Sequence, residues 1–298
     1  MTSIPENLIN LASKSPNVKA AVVCADQKSI LNAINESIKL NLINPILIGK
    51  KNNIHKISEE IDFDISKIEI INTESEIDSA EISCELAKEN KIKIIIKGNL
   101  HTDILMKSYL KKDKGLLEGK RLSHIWHMTS DVLQKPLFIT DGALNVSPRI
   151  DIKLHILKNV IEFSYKTGLA RPKVAILSGT EDPIESMPSS IEAKQVMELA
   201  EREKLKADVY GPLALDNAIS KKAADIKKIN NKVAGNADVI LVPNLETGNS
   251  LSKIMVYFMN ACAAGIVYGG KVPIVVPSRA DDEISKLASI AAAIIASQ

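Results

Sequence analysis

Aromatic residues are scarce, at 3% of 298 positions with a single tryptophan. A core in this chain must therefore be built from Ile, Leu, Val and Ala. The 45% hydrophobic content supplies enough of them without disulfides or a structural metal. Cysteine is nearly as rare. Cys24, Cys84 and Cys262 are far apart and odd in number, with no CxxC or Cys/His spacing. That excludes a disulfide framework and a zinc motif, and points to a reducing compartment. No excess of one charge exists either: 38 basic residues against 36 acidic give +2. No Lys/Arg block interleaves with aromatics, so no nucleic-acid partner is expected. The short run Lys111, Lys112 and Lys114 is bracketed by Asp113 and Glu118 and reads as a solvated loop. Long apolar runs are missing too. Residues 284–296 are very apolar but fall short of the ~20 needed for a membrane span, so they read as a core helix and no membrane partner is expected. Pro5, Glu6 and Asn7 interrupt the first apolar residues, so no signal peptide is read there and a cytoplasmic location is expected.

What is present is alternation. Short apolar runs at 18–24, 45–48, 68–71, 92–96, 137–140, 174–177, 239–242 and 272–276 read as buried strands. Longer periodic stretches at 29–40, 77–89, 151–165, 190–204 and 250–263 read as helices between them. In the fourth of these, Ile191, Val196, Leu199 and Ala200 fall on one face. The fold class is α/β with a mostly parallel sheet. The length suits either two lobes or one large domain, because a common domain has roughly 100–200 residues.

Strand exits are where α/β proteins place ligand groups. After 272–276 comes Pro277-Ser278-Arg279-Ala280-Asp281-Asp282. A hydroxyl, a guanidinium and two carboxylates there offer an anion site and a proton acceptor. The same residues would also serve as the cap and acidic first turn of the last helix. Pro243-Asn244-Leu245-Glu246-Thr247-Gly248-Asn249-Ser250 follows 239–242; its glycine would let a phosphate or carbonyl approach the backbone, or simply make a turn. In the segment 139–148, Asp141 and Asn145 could orient a substrate or tie down their own loop. Lys97 beside Gly98 suits an anion, and His101 could donate to it, while Thr102 or Asp103 would cap a helix. His124 and His127, three apart on a strand, would face opposite sides, so no metal site is expected.

Taken together, the segments KGNLHTD (97–103), ITDGALNVSP (139–148), KVAILS (173–178), MPSSIEA (187–193), GPLALDNAIS (211–220), GNADVILVPNLETGNSLSK (235–253) and VPSRADD (276–282) resemble the phosphate acetyl/butyryl transferase family, in the family's order and over most of the chain. SRAD in place of a longer SRGCS-type loop resembles the butyryl-type branch. The resemblance implies two Rossmann-like lobes of isocitrate/isopropylmalate dehydrogenase-like architecture with a cleft between them. Residues 1–121 plus 269–298 would form the first, and 122–268 the second, inserted lobe.

The implied enzyme is a phosphate acetyltransferase or phosphate butyryltransferase. It moves a short acyl group between coenzyme A and inorganic phosphate, giving acetyl phosphate or its homologue, without metal or cofactor. Coenzyme A is a substrate, and a homodimer is implied. Ser278 would stabilise the developing oxyanion or leaving phosphate, and Arg279 would hold a phosphate. Asp281, Asp282 or Glu283 would take the thiol proton. Lys97, His101, Asp141, Asn145, Gly248 and Asn249 would bind substrate. Two alternatives stand beside this reading: a non-catalytic acyl-CoA-sensing domain, and a metal-dependent decarboxylating dehydrogenase on the same architecture, which would need clustered aspartates.

Overall fold

Strands that are apolar on both faces need cover on both sides, and intervening amphipathic helices supply it. In the computed structural model, which describes residues 4–117, 119–278 and 281–298, the result is a mixed α/β protein that packs into two compact units. Arg279, expected to hold a phosphate, lies outside the described residues.

The chain first runs through α1 (Glu6–Ala12), β1 (Val18–Val23), α2 (Lys28–Lys39), β2 (Ile43–Gly49), α3 (Lys51–Glu60), β3 (Glu69–Asn72), α4 (Glu76–Lys88), β4 (Ile94–Lys97) and α5 (Thr102–Tyr109). It continues with β5 (Ser123–Thr129), β6 (Leu137–Thr140), α6 (Ile150–Lys166), β7 (Lys173–Leu177), α7 (Pro188–Arg202) and β8 (Asp208–Leu213). Then come α8 (Leu215–Ile219), α9 (Lys221–Ile226), β9 (Val239–Leu241) and α10 (Leu245–Met259). It closes with β10 (Cys262–Tyr268), β11 (Ile274–Val275) and α11 (Glu283–Ala296).

The first unit joins Thr2–Lys120 to Cys262–Gln298. Its strands lie in the order β3-β2-β1-β4-β11-β10, parallel except for β10, which runs antiparallel to β11. The second unit is Arg121–Ala261, with strand order β5-β6-β9-β7-β8. There β5 and β6 pair antiparallel and the others pair parallel.

Helix α11 is mostly apolar and buried from Ser285 to Ala296, as a core helix should be. Two of its buried hydroxyls bond to the neighbouring strand: Ser289 Oγ accepts the Gly265 N–H at 2.9 Å and Ser285 Oγ that of Ala263 at 3.4 Å. Among the described residues no helix is long and apolar enough to cross a membrane.

The sequence pattern assigns 262–268 to the inserted lobe; the structure puts β10 in the first unit, hydrogen-bonded to β11 and covered by α11. The run CAAGIVY has no alternation, so periodicity cannot separate it from the helix before it. Strands β5 and β8 also escape the sequence pattern. Polar Ser123, His124, His127 and Thr129 hide the first, and the Gly211-Pro212 pair breaks the pattern of the second.

Candidate active site

In the first unit, β4 ends in Lys97, whose side chain is buried and whose Nζ donates to the Gly98 carbonyl at 3.3 Å. Gly98 is there for close approach: a Cβ would sit 2.3 Å from the Cys24 carbonyl oxygen. The loop is thereby clamped to the end of β1, with Gly98 N–H donating to Val23 O and Asn99 N–H to Cys24 O, both at 2.8 Å. His101, not Thr102 or Asp103, is the N-cap residue of α5. It is exposed, makes no side-chain cap bond, and its N–H donates to Glu76 Oε2 at 3.0 Å. Asp103 instead pairs with Lys107 at 3.1 Å, and that bond holds its carboxyl below the usual range.

Past β11, Ser278 and Asp281 are bonded to each other. Ser278 N–H donates to Asp281 Oδ2 at 2.7 Å, and Asp281 N–H returns to Ser278 O at 3.1 Å. Asp282 is the N-cap of α11, its Oδ1 accepting the Ser285 N–H at 2.7 Å. The buried Lys286 donates to the Asp281 carbonyl. Burial pushes the Lys286 ammonium below its usual pKa, against the opposing pull of Asp281, Asp282 and Glu283. The two neighbouring acids therefore play different parts, since one holds the serine's backbone and the other caps the helix.

In the second unit, Asp141 follows β6 and is 2% exposed. Its Oδ1 accepts the N–H groups of Ala143 (3.0 Å) and Leu144 (2.9 Å). Its Oδ2 accepts His124 N–H (3.0 Å) and Asn145 Nδ2 (2.6 Å). Asn145 Nδ2 also donates to Leu122 O at 3.0 Å. Four donors converge on one buried carboxylate, so the turn is built around it. The exit of β9 leads into α10 sooner than the sequence pattern suggests. The helix starts at Leu245 rather than near 250, with Asn244 Oδ1 capping it by accepting Thr247 N–H (3.0 Å) and Thr247 Oγ1 (2.6 Å). Gly248 and Asn249 thus lie in the first turns of a helix, not in a loop. The capping role of Asn244 is missed by sequence reasoning, although Asn three residues before Thr247 is a cap spacing.

The two exits of this unit meet. A Cβ on Gly142 would lie 2.5 Å from Trp126 Cζ3 and 2.6 Å from the Gly248 carbonyl carbon; one on Gly248 would lie 2.7 Å from Gly142 Cα. Asn249 Nδ2 donates to Gly142 O at 3.4 Å. Asp141, Asn145, Gly248 and Asn249, expected to bind substrate, therefore form one cluster. Behind it His124 and His127 are buried, and burial pushes both down to about 4. Their rings pack on Trp126 (4.3 Å) and Phe138 (5.1 Å) respectively. Among the described residues no three His, Cys, Asp or Glu side chains gather as a metal site would need.

The sequence profile of the phosphate acetyl/butaryl transferase family matches residues 75–294. The chain belongs to this family. A phosphate acetyltransferase of Rickettsia typhi is 38% identical over 278 residues, covering 92% of this chain and 79% of that one. A phosphate butyryltransferase of Clostridium acetobutylicum is 34% identical over 292 residues, covering 98% and 97%. Among solved structures, a branched-chain phosphotransacylase from Enterococcus faecalis superimposes with a TM-score of 0.85 at 29% identity, over 94% of this chain and 99% of that one. In this chain of the phosphate acetyl/butaryl transferase family, Ser278, Asp281 and the Gly142–Gly248 cluster all fall inside the matched span.

Proposed function

We propose that this protein transfers an acyl group between coenzyme A and inorganic phosphate. The observation that carries this is the pair of relatives above: acetyl- and butyryltransferases of phosphate both align with more than nine-tenths of the chain, and the reaction is what they have in common. The first unit's strand order β3-β2-β1-β4, all parallel, supports reading it as a Rossmann-like lobe of the isocitrate dehydrogenase kind.

In the direction of acyl-CoA synthesis, the thiol loses its proton to a carboxylate and its sulfur attacks the acyl phosphate carbonyl. The tetrahedral intermediate collapses with loss of phosphate. Asp281 is the base, because Asp282 is committed to capping α11. Ser278, held by Asp281 through its own N–H, donates its hydroxyl to the developing oxyanion or the leaving phosphate. Arg279 grips a phosphate in bidentate fashion. Lys97 and His101 serve the anionic substrates in the first unit. In the second, Asp141 and Asn145 shape the turn that presents Gly142, and the α10 N-terminus around Gly248 and Asn249 supplies backbone donors. The reading includes acetyl phosphate as the product from acetyl-CoA, no metal requirement, and a cytoplasmic homodimer.

Purified protein given acetyl-CoA or butyryl-CoA should release free thiol only when phosphate is present, with or without a chelator. Thiol release that ignores phosphate would make it a thioesterase instead. Ser278→Ala and Arg279→Gln should each lower turnover by about 100-fold or more.

A further inference from the structure

Helix α11 carries one charge into the core. Its buried run Ser285–Ala296 is otherwise serine, alanine, leucine and isoleucine, yet Lys286 is only 2% exposed. Two effects oppose a cation at this place. Burial penalises the ammonium, and a positive charge near a helix start meets the positive end of the helix dipole. A neutral side chain of similar length would avoid both. Nor does the Asp281 carbonyl, which Lys286 bonds, demand a charged donor, since a neutral one satisfies a backbone acceptor.

What the lysine reaches is the residue assigned above as the base. Asp281 N–H donates to Ser278 O at 3.1 Å, Asp281 O accepts from Lys286 Nζ, and Asp281 Oδ2 accepts Ser278 N–H at 2.7 Å. Both backbone groups of Asp281 are thereby engaged, one by the serine and one by the lysine. The charges acting on Lys286 are Asp281, Asp282 and Glu283. The elements packed against α11 carry Glu6 on α1, Lys28, Glu36 and Lys39 on α2, Lys97 on β4, and Cys262 and Tyr268 on β10. Among the described residues none of these acts on it. Asp282 Oδ1 accepts the Ser285 N–H, and Glu283 Oε1 accepts Asn32 Nδ2 at 2.5 Å. Asp281 is therefore the acid that joins Lys286 to Ser278.

We propose that Lys286 is a positioning residue for acyl transfer, fixing the Asp281 backbone and supplying the buried positive charge that keeps Asp281 a carboxylate. This rests on the acyl-transfer reading above, with Asp281 as the base. The lysine touches no substrate. It acts through Asp281, and the helix gives up some stability to hold it there.

The pH dependence of thioester formation from acetyl phosphate and coenzyme A tests it. The acid limb of kcat/KM for coenzyme A reports the base in the free enzyme. Removing a neighbouring cation raises a carboxyl pKa, so Lys286→Met should move that limb up by about one pH unit. Well below the limb its rate should be about tenfold under wild type. Its melting temperature should equal or exceed that of wild type, because the buried charge is gone. Lys286→Arg keeps the charge and should leave the limb in place. Arg279 is the same in every variant, so the shift reads Lys286 alone. An acid limb unmoved in Lys286→Met, or moved equally in Lys286→Arg, would overturn the assignment. Should Lys286→Met fail to fold, Lys286→Gln, which keeps a donor for the Asp281 carbonyl, is read in the same way. Failure of both neutral variants to fold would make the lysine structural and overturn it too. A wild-type protein that forms no thioester from acetyl phosphate would instead overturn the reaction, and Asp281→Asn at full rate would overturn the base.

Discussion

Asp141 and Asp281 stand in like places, each just past a strand and each accepting a backbone N–H, yet their surroundings suit them to different roles. Asp141 is sealed, with four donors saturating both oxygens. Asp281 is half-exposed and holds the N–H of the serine beside it. Four protein donors take up the acceptor positions of the Asp141 carboxylate, so it organises its turn and offers none to a substrate. A carboxylate that keeps contact with solvent can do chemistry. Burial, not residue type, separates the scaffold acid from the proposed base.

The contrast can be broken first at the reactive end. Asp281→Asn should lower turnover by about 10²–10⁴-fold, the range for losing a positioned general base. Asp282→Ala, next to it, should cost about 1 kcal/mol of stability through loss of the cap and leave turnover within a few-fold. Equal losses of rate in the two variants would erase the division between them. At the scaffold end, Asp141→Ala strands four donors, two of them the N–H groups of Ala143 and Leu144. It should cost about 3 kcal/mol in urea denaturation, because buried polar groups without partners lose their full solvation. A variant that unfolds normally but is inactive would move Asp141 into the chemistry.

A pH dependence of stability is expected from the histidines behind the Asp141 turn. Both have folded pKa values near 4, lowered by burial from 6.5. Between those limits the unfolded chain binds more protons than the folded one. Stability is thus fully present above about pH 6.5 and falls as pH drops towards about 4. The slope is about 1.4 kcal/mol per pH unit for each histidine. Urea midpoints measured across that window should show it, and His127→Gln should halve it.

Much of this was legible in the residues themselves. The run at 18–24 could only be a buried strand, and β1 covers Val18–Val23. The very apolar stretch at 284–296 was too short to cross a membrane and read as core, as α11 is. The β4 and β6 exits were visible because Gly98-Asn99 and Asp141-Gly142 follow short apolar runs. What could not be read were elements whose stability comes from their neighbours. β10 is rich in Ala and Gly and is a strand because β11 and the α11 serines satisfy it. Asp141 as an organiser was readable only as one of two options, since side-chain to backbone bonds and ligand bonds use the same atoms. The start of α10 lies several residues before the periodic stretch because Gly248 looks like a turn residue. Its real reason is lateral: it makes room for Gly142.

That contact carries a consequence of its own. Two backbones lie so near each other that hydrogen is the largest substituent either can bear, and neither position can be rescued by changing the other. Alanine at one would push the strand exit and the helix start apart as a pair. The loop and the helix thus behave mechanically as a weld, and variation among sequences that keep this geometry is confined to the residues on either side of it.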